Sequence, residues 1–220
     1  MTEADAGQSP INMRDSRTTV FGGVNKVAAV TLSFWIGKVL VTTIGDLSGD
    51  ALSISLGLGY ALALLLAFAV FAPLLLAQLR TQRYVPWLYW ALLLSSSAVG
   101  AEISDGIDRA LHWGNSVGTA ALLSGTLIAL AVWFMRRGTL GAGDVRALAD
   151  ERYYWLTVVL ANSLGSALGD LVGDKLGVGV LGGTGVNAGI LALLLAIYLT
   201  GRAPGGLLFW AAFVVSRVPF

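Results

Sequence analysis

The chain of 220 residues has no cysteine, a single histidine and few charges. Without cysteine there is no disulfide and no thiolate metal site. Charged residues make up 12% of the sequence, about half the share of a soluble domain. No cluster of lysines and arginines suggests a nucleic-acid partner, and the net charge is only +1. No nucleophile–base arrangement, phosphate-binding loop or HExxH-type motif is present, so an enzyme is not expected. The first 25 residues are polar and rich in Gly, Ser and Thr, lacking the apolar core of a cleavable signal. They predict a disordered cytoplasmic tail over 1–26.

What remains is apolar: 56% hydrophobic residues and a mean hydropathy of +0.76. Several runs approach or exceed the ~20 residues that span a bilayer as a helix. Seven segments stand out, at roughly 27–47, 56–79, 85–104, 117–135, 153–172, 180–200 and 205–218. They predict an all-α, polytopic transmembrane bundle of about seven helices, occupying 27–220 and multi-pass in the cell (inner) membrane. The cations between segments sort by side. Arg14, Arg17, Lys26, Arg80, Arg83, Arg136, Arg137, Arg146, Arg152 and Arg202 share one side, against Arg109 and Lys175 on the other. Positive loops face the cytoplasm, which places the N-terminus inside.

The sequence also repeats. Trp35 is followed at ten and fifteen residues by Gly45 and Asp50, Trp90 by Gly100 and Asp105, and Trp155 by Gly165 and Asp170. Each Trp follows an aromatic residue, and Phe209-Trp210 begins a fourth copy. The tryptophans predict tandem, parallel two-helix units at about 27–79, 85–135 and 153–200, with a partial unit at 205–220. A rival register pairs IGDLSGD (44–50) with LGDLVGD (168–174), an offset of 124 residues. The 120-residue offset of the tryptophans matches more, aligning Leu56-Gly57-Leu58-Gly59 with Leu176-Gly177-Val178-Gly179.

Positions 7, 11 and 15 after each Trp fall within one ~80° arc of a helix and span ~12 Å along it. That stripe holds Thr42, Asp46 and Asp50, then Ser97, Ala101 and Asp105, then Asn162, Ser166 and Asp170; Arg217 stands at position 7 of the fourth copy. Polar residues on one face of an apolar helix belong inside the bundle. Gly45, Gly100 and Gly165 flank the stripe and predict close helix packing. Asp46, Asp50, Glu102, Asp105, Asp108, Asp170 and Asp174 sit near helix C-termini, where the macrodipole disfavours negative charge, and a bound cation would offset that cost. The expected ligands are Asp46, Asp50, Glu102, Asp105 and Asp170, with Thr42, Ser97 and Asn162. Asp50, Asp105 and Asp170 are the candidate metal positions. Oxygen ligands suit H⁺, Na⁺ or a hard divalent ion such as Mg²⁺ or Mn²⁺, and no cofactor beyond such an ion is expected. The bland alternative is that the acids only cap outer loops, above all Asp108 and Asp174.

Lys38, alone at its position among the copies, reads either as a counter-charge to the acids or as a side chain reaching the inner interface. Trp35, Trp90, Trp155 and Trp210 read as interface anchors. His112, beside Trp113 in an outer loop, reads as solvated.

The Trp…Gly…Asp units, FWIGKVLVTTIGDLSGD above all, resemble a group of bacterial "membrane-anchored" proteins. These are built from four tandem two-helix repeats of unknown function, and the resemblance covers about 27–220. It implies an eight-helix integral membrane protein and supplies no substrate. This chain departs from the group in ending before a fourth Gly/Asp segment, so a shortened form, with an open flank where the fourth unit meets the first, is expected. Two functions from different classes follow: a transporter or exporter of an inorganic cation, or a non-transporting scaffold. The expected partners are the lipid bilayer and a cation, with a second copy of the chain left open.

The orientation is testable in this cysteine-free background. With Gly143→Cys and Asn115→Cys, an impermeant thiol reagent on whole cells should label position 115 and spare 143; the reverse pattern overturns the topology.

Overall fold

In the computed structural model, the described residues are 25–112, 114–141, 143, 145–176 and 179–217. Among them are seven α-helices and no strand: α1 Leu32–Asp50, α2 Tyr60–Arg80, α3 Pro86–Asp105, α4 Asn115–Arg137, α5 Leu148–Leu176, α6 Gly179–Leu199 and α7 Gly205–Val215. Local chemistry sets their ends. The Thr31 hydroxyl caps α1 by accepting from the Phe34 amide at 3.3 Å. Pro86 opens α3, where its missing N–H costs nothing. Gly138 closes α4 in the left-handed conformation, φ +70°. Four helices are long and apolar enough to cross a membrane: Tyr60–Arg80, Asn115–Arg137, Leu148–Gly173 and Gly182–Leu199.

The predicted tail, 1–26, lies outside the described residues as far as 24. Asn25 and Lys26, assigned to it, are held: the Lys26 amide donates to the Val145 carbonyl at 3.0 Å and the Val145 amide to Asn25 Oδ1 at 3.1 Å. The end of the predicted fourth unit, 218–220, also lies outside.

Two turns share one geometry at an offset of 55 residues. α1 and α3 each run on into a five-residue π-helical turn, Ala51–Ser55 and Gly106–Ala110. Leu56 and Leu111 follow, both at φ −86°, ψ −6°. Then come Gly57 at φ +67° and His112 at +57°, and Gly59 at +75° and Gly114 at +76°. His112 is exposed and occupies the left-handed position that Gly57 fills in the first turn. It is a turn residue.

The odd-numbered helices form an inner ring. α1 packs on α3, α3 on α5 and α5 on α7, while α2, α4 and α6 lie outside against α3, α5 and α7. Glycines make the inner contacts close. A Cβ on Gly45 would sit 2.5 Å from Ser97 Cβ, on Gly100 2.8 Å from Asn162 Cβ, and on Gly165 2.9 Å from Arg217 Cβ. Each glycine thus meets the seventh residue after the next Trp. An aromatic collar closes the ring, with Phe34 against Trp90 at 6.0 Å, Tyr89 against Trp155 at 5.5 Å, Tyr154 against Trp210 at 5.7 Å and Phe209 against Trp35 at 5.5 Å between ring centres. The tryptophans expected to anchor at the lipid interface are engaged instead with the aromatic residues that precede the neighbouring copies' tryptophans, and Trp155 and Trp210 are fully buried. A turn further along, Lys38, Leu93, Val158 and Phe213 are all fully buried.

Among the described residues, α1 has less outer cover than α3 and α5. Val99 on α3 and Leu164 on α5 are 1% and 2% exposed beneath their covering helices, whereas Ile44, at the same place on α1, is 51% exposed.

The glycine contacts give a paired test. Gly100→Ala forces Asn162 and the Ser163 backbone aside and should cost about 1–3 kcal/mol, the range for overpacking. Gly106→Ala meets nothing within 4 Å at φ −61° and should be neutral or slightly stabilising. Melting temperatures in detergent measure both; equal shifts would mean the close approach is not what holds the ring.

Candidate functional site: a central polar network

The inner ring places its polar stripe out of reach of lipid. Arg217, just past the end of α7, is 3% exposed. Its guanidinium is ion-paired with Asp46 of α1 and donates to Ser97 Oγ of α3. It also donates to the Ser97 carbonyl at 2.9 Å and to Ser166 Oγ of α5 at 3.4 Å. Residues from all four inner helices or their ends therefore meet at one guanidinium. Ser97 Oγ lies 2.8 Å from the Thr42 carbonyl and 3.3 Å from Asp46 Oδ1, both within reach of its single proton. Asn162 donates to Ser96 Oγ at 3.0 Å. Thr42 turns its hydroxyl back to the Lys38 carbonyl at 2.8 Å. Two buried polar atoms in the network, Asn162 Oδ1 and Arg217 Nε, have no hydrogen-bond partner among the described residues.

Lys38 makes no direct ion pair with an acid among the described residues. Its ammonium is fully buried and caps the end of α7, donating to the Phe213 carbonyl at 2.8 Å and to Ser216 Oγ at 2.9 Å, with the Phe213 ring 4.6 Å away. A cation suits the free carbonyls of a helix C-terminus. The position-7 residue of the fourth copy, Arg217, takes the acid: the counter-charge to Asp46 comes from the far end of the chain.

The acids at the outer ends separate by environment. Asp50 is exposed. Glu102 is 1% exposed and lies against α1, where a Cβ on Gly49 would be 3.1 Å from its Oε1; its Oε2 has no protein partner. Asp105 is buried, with Arg109 at 3.7 Å, and Arg109 also donates to the Tyr60 hydroxyl at 3.2 Å. Asp170 is half-buried. Asp108, read from sequence as solvated, is buried against Gly118, where any side chain on residue 118 would strike its carboxylate. Burial pushes the Asp108 carboxyl above the usual carboxylate range, against the pull of Arg109. The side chain of Asp174 lies outside the described residues. The expected metal set of Asp50, Asp105 and Asp170 is not brought together: among the described residues no three carboxylates or imidazoles are placed to hold one ion.

Ser96, Gln78 and Glu151 are among the buried polar residues that sequence reasoning missed, and the half-buried Ser216 is a further polar partner. Gln78 was the most legible of them, as a lone amide in the apolar run of α2. A cleft of about 530 Å³ between α4 and the start of α7 is lined by apolar residues such as Leu130, Phe134 and Leu207, and by none of the network.

Compared with known proteins, residues 33–84 and 153–203 match a family model described as a Repeat of Unknown Function (DUF347). The two matches begin 120 residues apart, the offset of the tryptophans rather than the rival 124. No curated protein and no solved structure matches the chain.

If the guanidinium organises the network, removing one charge should cost more than removing both. Arg217→Met or Asp46→Leu alone should destabilise by about 3–5 kcal/mol, and the double variant by less than either. A thermal-unfolding double-mutant cycle reads the coupling; strictly additive losses would mean the two side chains do not interact.

Proposed function

We propose that the chain is an integral membrane transporter or exporter of an inorganic cation, built from three two-helix units and part of a fourth around the Arg217–Asp46 network. The observation that carries this is a buried ion pair at the centre of a bundle whose outer helices suit lipid. Charges away from water in a membrane bundle are expensive, and well-packed apolar side chains would hold four helices together at no such cost. Their presence is best accounted for by a task that needs an ionisable group there.

The chemistry favours a monovalent ion. Asp46 offers one carboxylate beside the hydroxyls of Ser97 and Ser166. A proton needs no more than that, and Na⁺ is served by a few neutral oxygens. A hard divalent ion takes six or more oxygens with several charges among them. A cation reaching Asp46 competes with the guanidinium of Arg217, so loading and release of the pair alternate. Asp50, Asp105 and Asp170, toward the outer mouth, would raise the local cation concentration. In this reading the protein resides in the cell (inner) membrane with its N-terminus in the cytoplasm, and carries out no covalent chemistry.

One observation favours the scaffold reading: Asp50 is exposed and Asp105 is paired with Arg109, as loop-capping acids would be. Flux separates the two. In proteoliposomes with a pH-sensitive dye and opposed Na⁺ gradients, the native chain should move H⁺ or Na⁺. Asp46→Asn should reduce the rate by about a hundredfold and Asp105→Asn by about tenfold, while Asp50→Asn changes it little, since an amide cannot replace a buried ligand charge. Absence of flux, together with a melting temperature indifferent to H⁺, Na⁺ and Mg²⁺, favours the scaffold.

A further inference from the structure

A second buried ion pair lies at the opposite end of the inner ring. Lys26 is ion-paired with Glu151, and both side chains are withdrawn from solvent, 6% and 0% exposed. Gln78, near the end of α2, completes the cluster, donating to Glu151 Oε1 at 2.9 Å and to the Lys26 carbonyl at 3.3 Å. The three residues come from the segment leading into α1, from α2 and from the first turn of α5. They tie the lead-in, α2 and α5 together beside the backbone bond from the Lys26 amide to the Val145 carbonyl.

Glu151 does not stand apart from the central stripe. Residues 151, 154, 158 and 162 recur at helical spacing on one face of α5, and Glu151, Tyr154, Val158 and Asn162 are all buried. Read upward, this face carries the ion pair, then Tyr154 in the aromatic collar, whose hydroxyl lies 2.6 Å from that of Tyr89, then the Val158 layer, then the polar network. The pair is the innermost layer of the same column. The first turn of α5 favours an acid, but that role needs no burial, and Glu151, its amide bonded to the Ala147 carbonyl at 3.0 Å, is withdrawn from solvent. At the outer end of the column the acids Asp50 and Asp170 are open to solvent or half so. Glu102 and Asp105 at the same end are buried, so solvent reaches this end at Asp50 and Asp170 but does not reach Lys26 and Glu151 at the inner end.

We propose that Lys26, Gln78 and Glu151 are the inner gate of this column, holding the lead-in of α1 across α5 so that the aromatic collar stays shut. This rests on the transport reading, since a gate implies passage. A gate of this kind needs a bond that is strong when closed and that water can replace when open, and a buried ion pair with one supporting amide meets both conditions. Breaking it releases the lead-in segment, lets Tyr89 and Tyr154 part, and connects the layer at Val158 to the inner side.

The absence of cysteine makes the gate readable without transport. Val158→Cys places a thiol above the collar, and Ala28→Cys places one beside Lys26. A small thiol reagent, 2-aminoethyl methanethiosulfonate, is applied to the cytoplasmic face of inside-out vesicles. With the gate intact both sites should react slowly. Adding Glu151→Gln or Lys26→Met should speed labelling at position 158 by about a hundredfold, the order of shift in open population expected from breaking one buried ion pair. The exchanged pair, Lys26→Glu with Glu151→Lys, should restore protection, which an unfolded protein would not do. Faster labelling at 28 with none at 158 would mean that the pair merely tethers a loose segment, and would overturn the gate. Equal reactivity at 158 in the native, single and exchanged backgrounds would overturn it too. Flux is measured separately in proteoliposomes: gated labelling without H⁺ or Na⁺ flux in any variant would leave the gate standing and remove the cation-transport reading.

Discussion

The close approach of the inner helices is what everything else in this structure depends on. Within a bilayer there is no gain from bringing apolar helix faces together, because lipid is as apolar as leucine; association rests on packing and polar contacts. Gly45, Gly100 and Gly165 remove the one atom that would keep neighbouring helices apart. Each lets the next helix bring its polar residue to the interface, so the same substitution that permits contact delivers Ser97, Asn162 and Arg217 to the interior. Larger residues at these three positions would splay the ring and expose a guanidinium to lipid. Packing and polarity are thus one design feature here.

The division into inner and outer helices follows from the same constraint. α3 buries most of its second half and carries three consecutive serines, Ser95, Ser96 and Ser97, all inside. Such a helix can live in a membrane only when sheathed, and α2 sheathes it with an almost uninterrupted apolar run. α5 is likewise covered by α4. α1 has less cover and accordingly presents Leu40, Ile44 and Leu47 outward, while Thr43 and Ser48 turn their hydroxyls back to the Val39 and Ile44 carbonyls. The sequence of each inner helix matches the cover it receives.

Much of this was legible in the residues. The seven apolar runs located the helices to within a few positions, and the polar stripe at positions 7 and 11 after each Trp marked residues that do face one another. What sequence could not supply was the partner. A tryptophan near the end of an apolar run is usually an interface anchor, and only the closure of the ring, Phe209 onto Trp35, turns four such residues into a collar. Lys38 was sought among acids because carboxylates are visible in sequence, whereas its acceptors are a backbone carbonyl and a serine at the end of another helix. Asp108 looked solvated because its loop is short and polar; its burial depends on Gly118, ten residues on, having no side chain. In each case the missing information was long-range.

A ring of four similar helices carries a difficulty of its own, and the sequence resolves it by breaking the similarity. Were each layer filled by one residue type, any charge would meet three copies of itself across a few ångströms of low dielectric, where repulsion is strong. The layer at position 3 therefore holds a single cation, Lys38, against Leu93, Val158 and the ring of Phe213. The layer at position 7 holds a single cation, Arg217, against Thr42, Ser97 and Asn162, and its one acid partner comes from the layer above. Charges of opposite sign are separated by a helix turn and by 171 residues of chain, so neither is satisfied until α7 docks on α1. The ion pair is in that sense a check on completion: α1 and α7 share few close backbone contacts, and Lys38, Asp46 and the aromatic pair at Phe209 are what join them. The residues that depart from the repeat are the ones that close the ring.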